Sequence, residues 1–338
     1  MSGDPRRARS SGSGGRDGGD ASGPRVLYEA EIRTLADLTP DAIDAVADAF
    51  ERLAAGSVRQ PPVLSLELPE VRGELDVKTA WVDGWEVFCV KLSTGFFGNP
   101  AVGLPSASGL MAVLDARTGR PRALLLDGGY LTDLRTAAAG AVAARELARP
   151  DASRAAILGA GAQARWQLRA LAAVRDLSEV RVWARGRVAA DQLAAEMGAE
   201  LRLPVRASSC VKEAVDGADV VVTTTPAREP LLSAELVRAG THVTAMGSDG
   251  PGKRELDPAL VAGADRVIVD DPDQSRTLGE LQGFPTGTGP APVALGDVLA
   301  GRAPGRVSQH DVTVCDLTGT GVQDSAIARW LLTATHVR

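Results

Sequence analysis

Three charged side chains in this 338-residue chain are candidates for chemistry: Lys91, Arg135 and Asp249. The basic residues are mostly arginine, and the lysines are only Lys78, Lys91, Lys212 and Lys253. Lys91 follows the apolar run VFCV, so a strand carries it toward a partly buried space. There a lysine is costly unless paired, but unlike arginine it can shift its pKa usefully. The alternative is a strand-edge lysine whose ammonium reaches back to water. Arg135 lies in YLTDLRTAAAG, early in a helix of small residues. Its guanidinium can grip a carboxylate through two parallel hydrogen bonds, or pair with Asp133 or another acid. Asp249, in MGSDGPGK, sits in a glycine-rich loop just past a strand's carboxyl end. It can trade protons with an amine or water there, or simply shape the turn.

These candidates flank the segment ILGAGAQA, which reads as a buried strand, a tight turn and a helix start. Gly159, Gly161 and Ala164 take the three small-residue positions of a dinucleotide-binding turn, and the helix from Ala162 offers unpaired amides to a pyrophosphate. An NAD-type site usually has an acid about 20 residues further on, at the end of the next strand. Here VWARGR supplies Arg185 and Arg187 instead, which favours the 2′-phosphate of NADP(H) over NAD(H). Two arginines opening a solvated helix are the competing explanation. Thr223 and Thr224, with Thr225 and Pro226 after them, end a later strand at the carboxyl edge where ligands of open sheets bind. They read equally well as β-branched residues finishing a strand.

The elements needed to position these groups are legible. VLSLELP, ELDVKTAWV, WEVFCVKLS, GLMAVLDA and RALLLDG read as successive strands, with a hairpin turn at Asp83-Gly84, after a helix capped at Thr39. A helix spans 131–148, and strands then alternate with helices near 155–158, 180–183, 219–224, 242–246 and 266–269. A last strand is expected at 312–315 and a last helix at 322–333. The fold class is α/β: a doubly wound parallel sheet of the Rossmann type plus a β-rich substrate-binding and dimerisation domain. The expected division is a disordered tail over 1–25, a β-rich domain over 26–130 and 312–338, and a dinucleotide-binding domain over 131–311.

Bulk properties narrow the class. The net charge of −6 argues against nucleic acid or an anionic membrane as partner. No apolar run is long enough to span a bilayer, and the arginine-rich start has no apolar segment behind it, so a cytoplasmic protein is expected. Cys89, Cys210 and Cys315 are far apart, and His242, His310 and His336 complete no zinc spacing, so no metal is expected.

Taken together, VKLSTGFFGNPAVGLPSASGLM, LRTAAAGAVAA, ILGAGAQA, GSDGPGKREL and LTGTGVQDSAIA resemble the ornithine cyclodeaminase/μ-crystallin family, from about 26 to 333. VCDLTGTGVQD and LLLDGGYLTDLRTAAAG are most similar to the cyclodeaminase-like branch associated with ectoine utilisation. The resemblance implies that Lys91 and Arg135 contact a substrate carboxylate, with Ser106 in place of the family's Thr. It also implies that Asp249 is the acid/base residue and that Asp76 holds a distal amine. Gly159, Gly161, Ala162 and Gln163 would hold the pyrophosphate of NAD(P), with Thr136 near the cofactor, in a homodimer. The implied activity is that of an NAD(P)-dependent lyase/oxidoreductase. Hydride leaves the α-carbon of a small diamino acid, the distal amine closes on the imine, ammonia departs, and the cyclic imine recovers the hydride. The same site suits a cyclic-imine reductase, an amino-acid dehydrogenase, or a non-catalytic NADPH-dependent binder. Two positions depart from the family: Ser65 stands where a clamp arginine is expected, and Lys78 shares a strand face with Asp76. Losing a clamp arginine while gaining a lysine would relocate the carboxylate contact, or equally signal a different substrate or reduced activity.

Overall fold

The computed structural model describes residues 23–284 and 291–336. The expected tail therefore lies outside the described residues as far as residue 22.

In the first layer, β1 (Arg25–Tyr28) is followed by α1 (Glu29–Leu35) and α2 (Pro40–Ala54). The Ala42 amide donates to Thr39 Oγ1 at 3.3 Å, capping α2 as expected. Then come β2 (Val58–Arg59), β3 (Leu64–Leu68), β4 (Gly73–Val82), β5 (Val87–Phe96), β6 (Ala107–Asp115) and β7 (Pro121–Leu126). They form one sheet in the order β1-β7-β6-β5-β4-β2, with β3 also on β4. Pairing is antiparallel except where β1 joins β7. Gly84, in the left-handed region at φ 78°, turns the β4–β5 hairpin. One face buries Ala80, Val82, Val87, Cys89, Met111, Val113, Ala123 and Leu125, and the core these residues join includes residues of α2 and α3. The other face keeps Leu75, Val77, Trp81, Phe88, Val90, Leu92, Leu110, Leu114 and Leu124 only half-buried.

α3 (Tyr130–Leu147) then crosses to the second layer. Its small side chains from Ala137 to Ala144 are buried on every side, as a helix wedged between neighbours requires. Next follow β8 (Arg154–Leu158), α4 (Ala162–Val174), β9 (Glu179–Trp183), α5 (Arg187–Leu201) and β10 (Val205–Ala207). After them run α6 (Val211–Val215), β11 (Val220–Thr223), β12 (His242–Ala245), α7 (Pro258–Gly263) and β13 (Arg266–Val269). The chain ends with α8 (Pro272–Leu278), β14 (Val293–Ala294), α9 (Leu295–Leu299), β15 (Thr313–Asp316) and α10 (Gly321–His336).

The second sheet is parallel throughout, ordered β10-β9-β8-β11-β12-β15-β13-β14. Along β8, Ala155 and Ile157 join one apolar core while Ala156 and Leu158 join another, so both faces are covered, the signature of a doubly wound sheet. Strand order reverses between β8 and β11, and a crevice opens there at the carboxyl ends. One expectation is corrected. The strand expected to return to the first layer at 312 instead inserts as β15 between β12 and β13, and α10 alone crosses back, packing on β4 and β5. Its four residues, Thr313, Val314, Cys315 and Asp316, are all buried, as a central strand of a parallel sheet covered on both faces requires.

Candidate active site

A cleft of about 270 Å³ lies between the layers, lined by β4, β5 and α3 on one side and by the loops after β11, β12 and β15 on the other. Of the expected residues, Lys78, Asp76, Lys91, Ser106, Arg135, Thr136, Gln163, Thr224 and Asp249 all line it.

Its deep end is cationic. Lys78 and Lys91 lie directly opposite on β4 and β5 and are 7% and 1% exposed. Two like charges so placed repel, so partners must offset them. Lys78 Nζ donates to Gly319 O at 2.9 Å, while Lys91 Nζ reaches Asp324 Oδ1 at 3.1 Å. Lys91 is thus a buried, paired group and not a strand-edge lysine reaching for water. Burial, then the Arg135 charge, pushes its ammonium down to about 8 against the pull of Asp324. Arg135 does not pair with Asp133: its Nε lies 3.0 Å from Asp324 Oδ1, and Nη1 donates to Gln323 Oε1 at 2.9 Å. Asp133 instead accepts from Gln163 Nε2 at 2.6 Å. Gly319, at φ 78°, lies flat against the guanidinium, since a Cβ there would sit 2.7 Å from Arg135 Nη1.

The outer end is acidic. Alternation on β4 puts Glu74 and Asp76 on the face that carries Lys78. Ser65 Oγ donates to Asp76 Oδ1 at 2.5 Å, so the residue at the expected arginine position orients an acid. Asp249 is at the mouth, and Lys253 Nζ sits 2.8 Å from its Oδ1 and 3.8 Å from Glu74 Oε1. Burial opposes that ammonium, yet Asp249, Glu74 and Asp76 hold it above the ordinary lysine range. Burial likewise raises Glu74, with Lys253 working against the rise.

The glycine turn stands at the β8–β11 crevice. Gly159 is at φ 133°, and a Cβ on it would meet Thr224 Oγ1 at 2.3 Å. A Cβ on Gly161 would meet nothing within 4 Å, and no side chain caps α4. Open space beside uncapped amides, from Gly161 through Ala162 to Gln163, fits the pyrophosphate of a dinucleotide. Thr223 does not line the cleft; it is fully buried, and its hydroxyl donates to Glu255 Oε2 at 2.6 Å. Glu255 also accepts from the Thr225 and Gly247 amides, so it ties together the two loops that border the crevice. Arg187 pairs with Asp191 at 3.0 Å along α5, whereas Arg185 is exposed at the carboxyl end of β9. Among the described residues no cluster of His, Cys, Asp and Glu could hold a metal, and no helix is long and apolar enough to cross a membrane.

Sequence reasoning missed Asp324, Gln323, Glu74 and Lys253. The signal for Asp324 was the glycine pair in TGTGVQD, which brings a helix start against a sheet.

A profile of the ornithine cyclodeaminase/mu-crystallin family matches residues 24–335. A protein of Sinorhizobium fredii named an uncharacterized cyclodeaminase is 50% identical over 309 residues, covering 90% of this chain and 93% of that one. The Thermococcus litoralis Delta(1)-pyrroline-2-carboxylate reductase, solved with NADH and L-proline, superposes with a TM-score of 0.86 at 28% identity, over 93% of this chain and 98% of that one. An archaeal alanine dehydrogenase dimer with bound NAD gives 0.84 at 33% identity, over 93% and 96%.

Proposed function

The chain belongs to the ornithine cyclodeaminase/mu-crystallin family, and on that premise we propose that it is an NAD(P)-dependent oxidoreductase working at the α-carbon of a small amino or imino acid. The observation that carries the reading is the convergence of Lys91 and Arg135 at the deep end of a cleft bordered by the glycine turn's Gln163 and by Thr224. Lys91 and Arg135 share one ion-paired carboxylate, Asp324, and among the described residues Lys78 is held only by backbone carbonyls, so the deep end has charge to spare for a substrate carboxylate. Anchoring that carboxylate fixes the α-carbon beside it. A bound nicotinamide supplies or accepts the hydride. Lys91, held down to about 8, sits in the range where a proton passes readily to or from the nitrogen on that carbon. Asp249 can exchange protons at the mouth, and its ion pair with Lys253 orients it. Gly159, Gly161, Ala162 and Gln163 would hold the pyrophosphate, with Thr136 and Thr224 beside it.

Imine reduction and amino-acid dehydrogenation are the reactions we favour. A second reading, cyclodeamination of a diamino acid, is favoured by the acidic end, where Asp76 and Glu74 would hold a distal ammonium. The branch tied to ectoine utilisation belongs to that reading. A panel separates them: pyruvate with ammonia, a cyclic 2-imino acid, and diamino acids, following nicotinamide absorbance and ammonia together. Product formed with only catalytic cofactor supports cyclodeamination, stoichiometric cofactor use supports reduction, and no turnover of any class defeats both.

Arg185, exposed and without an acid beside it, supports a preference for NADP(H). Arg185→Asp should reverse or abolish it; equal affinity for NADPH and NADH in the unaltered protein contradicts it. The half-buried apolar face of the first sheet supports a homodimer through that face. Leu124→Asp should then dissociate it in sedimentation, and an unaltered protein that sediments as a monomer at micromolar concentration rules it out.

A further inference from the structure

We propose that Asp324 is a positioning residue that orients Lys91 and Arg135 together, so that both present free N–H groups to the substrate carboxylate. The inference rests on reading those two cations as the carboxylate clamp. Asp324 is fully buried in the first turn of α10 and lies 3.1 Å from Lys91 Nζ and 3.0 Å from Arg135 Nε. Gln323, its neighbour, takes Arg135 Nη1. Two edges of the guanidinium are thereby assigned to α10, and among the described residues no acceptor takes Nη2. That is the group left to a ligand, and the planar fork fixes its direction through the Nη1 hydrogen bond to Gln323 and the ion pair of Nε with Asp324.

The approach of α10 is built for this contact. A Cβ on Gly321 would lie 2.5 Å from Thr79 O, so only glycine lets the helix start this close to β4. Ser325 adds a second tie, accepting from the Cys89 amide at 3.1 Å and donating to Ala80 O at 2.8 Å. Four elements face Lys91: Lys78 from β4, Met111 from β6, Arg135 and Asp127 from α3 and the turn before it, and Asp324 from α10. The Cys89 thiol lies nearby on its own strand. Of the two acids in that set, Asp324 alone is hydrogen-bonded to Lys91. Removing its charge would leave three buried cations with Asp127 as the one acid near Lys91, and Lys91 would be the one to discharge.

The test uses protein labelled with ¹³C at lysine Cε, since four lysines give four signals and Lys91 is assigned by its loss in Lys91→Met. In the unaltered protein Lys91 should titrate near 8, and in Asp324→Asn its midpoint should fall by at least about one unit. An unchanged midpoint overturns the proposal. Because no substrate is involved, that result is independent of whether the proposed reaction is right. Asp324→Glu covers the case in which Asp324→Asn does not fold, since it keeps the charge and moves it by one methylene. Its Lys91 should still titrate near 8, while KM for whichever carboxylate substrate the panel identifies rises at least about tenfold, the scale of one weakened charged hydrogen bond. An unaltered KM in Asp324→Glu also overturns it.

Discussion

Replacing Lys91 or Arg135 with Met removes one charge-assisted contact to the substrate and leaves Asp324 with one cation in place of two. Such a contact in a site shielded from water is worth about 2–4 kcal/mol, so kcat/KM should fall roughly 30- to 1000-fold, chiefly through KM. Steady-state kinetics beside a melting curve would check this, and an unchanged KM in both variants would show the clamp to be misassigned. Asp249→Asn should instead lower kcat while KM holds, because a proton-transfer group is lost and the carboxylate clamp is not. Full turnover in that variant would reduce Asp249 to a turn residue. Lys91 was legible because lysine is scarce in an arginine-biased chain and this one follows an apolar strand. Asp324 was not, because an acid in a helix's first turn ordinarily answers the helix dipole, and its partner is 233 residues away. Lys253 was overlooked for a similar reason: four residues from Asp249, it read as part of a loop and not as a bridge toward Glu74.

At the scale of elements, α10 is the piece that joins the layers, and its start is the place to test it. Gly321→Ala puts a methyl group against the Thr79 backbone, which cannot rotate away. Overpacking of that kind costs about 1–3 kcal/mol, and here the strain must also move Asp324 off its two cations. We expect a lower urea midpoint together with a raised KM; a loss of stability with KM untouched would separate the helix from the site. The strong elements were legible because their patterns are long or punctuated: the alternation of β4, the Asp83-Gly84 turn and the Thr39 cap all stand where expected. β10 and β14, of three and two residues, are too short to carry a period and exist by pairing with neighbours. β15 was recognised as a strand but assigned to the wrong sheet, because pairing partners are a tertiary property that a four-residue strand does not encode.

For the whole molecule, a chain of buried acids beneath the cleft ties stability to pH. Asp316 accepts from the Glu280 amide, Glu280 from the Glu255 amide, and Glu255 from the Gly247 amide. Burial raises Glu280 from 4.5 to about 7, and raises Glu255 and Asp316 in the same direction. A carboxyl raised in the folded state gives stability that is fully present below its unfolded value and is lost as pH rises through the folded one, here from 4.5 to about 7. Buried His242, lowered from 6.5 to about 3, works oppositely in part of that window, so the total profile is a balance. Glu280→Gln isolates one member: its stability relative to the unaltered protein should be greater at pH 8 than at pH 5, by urea unfolding at each pH. A difference that does not change with pH contradicts it. The account as a whole stands on hydride transfer at the α-carbon of a carboxylate-bearing substrate, and isotope transfer reads that event directly. The purified protein, given nicotinamide cofactor deuterated on one or the other face of C4 and the imino acid that the panel identifies, should yield an amino acid carrying deuterium at the α-carbon from one face only. Product without deuterium at that carbon from either cofactor, or cofactor oxidised without amino acid formed, would contradict the account.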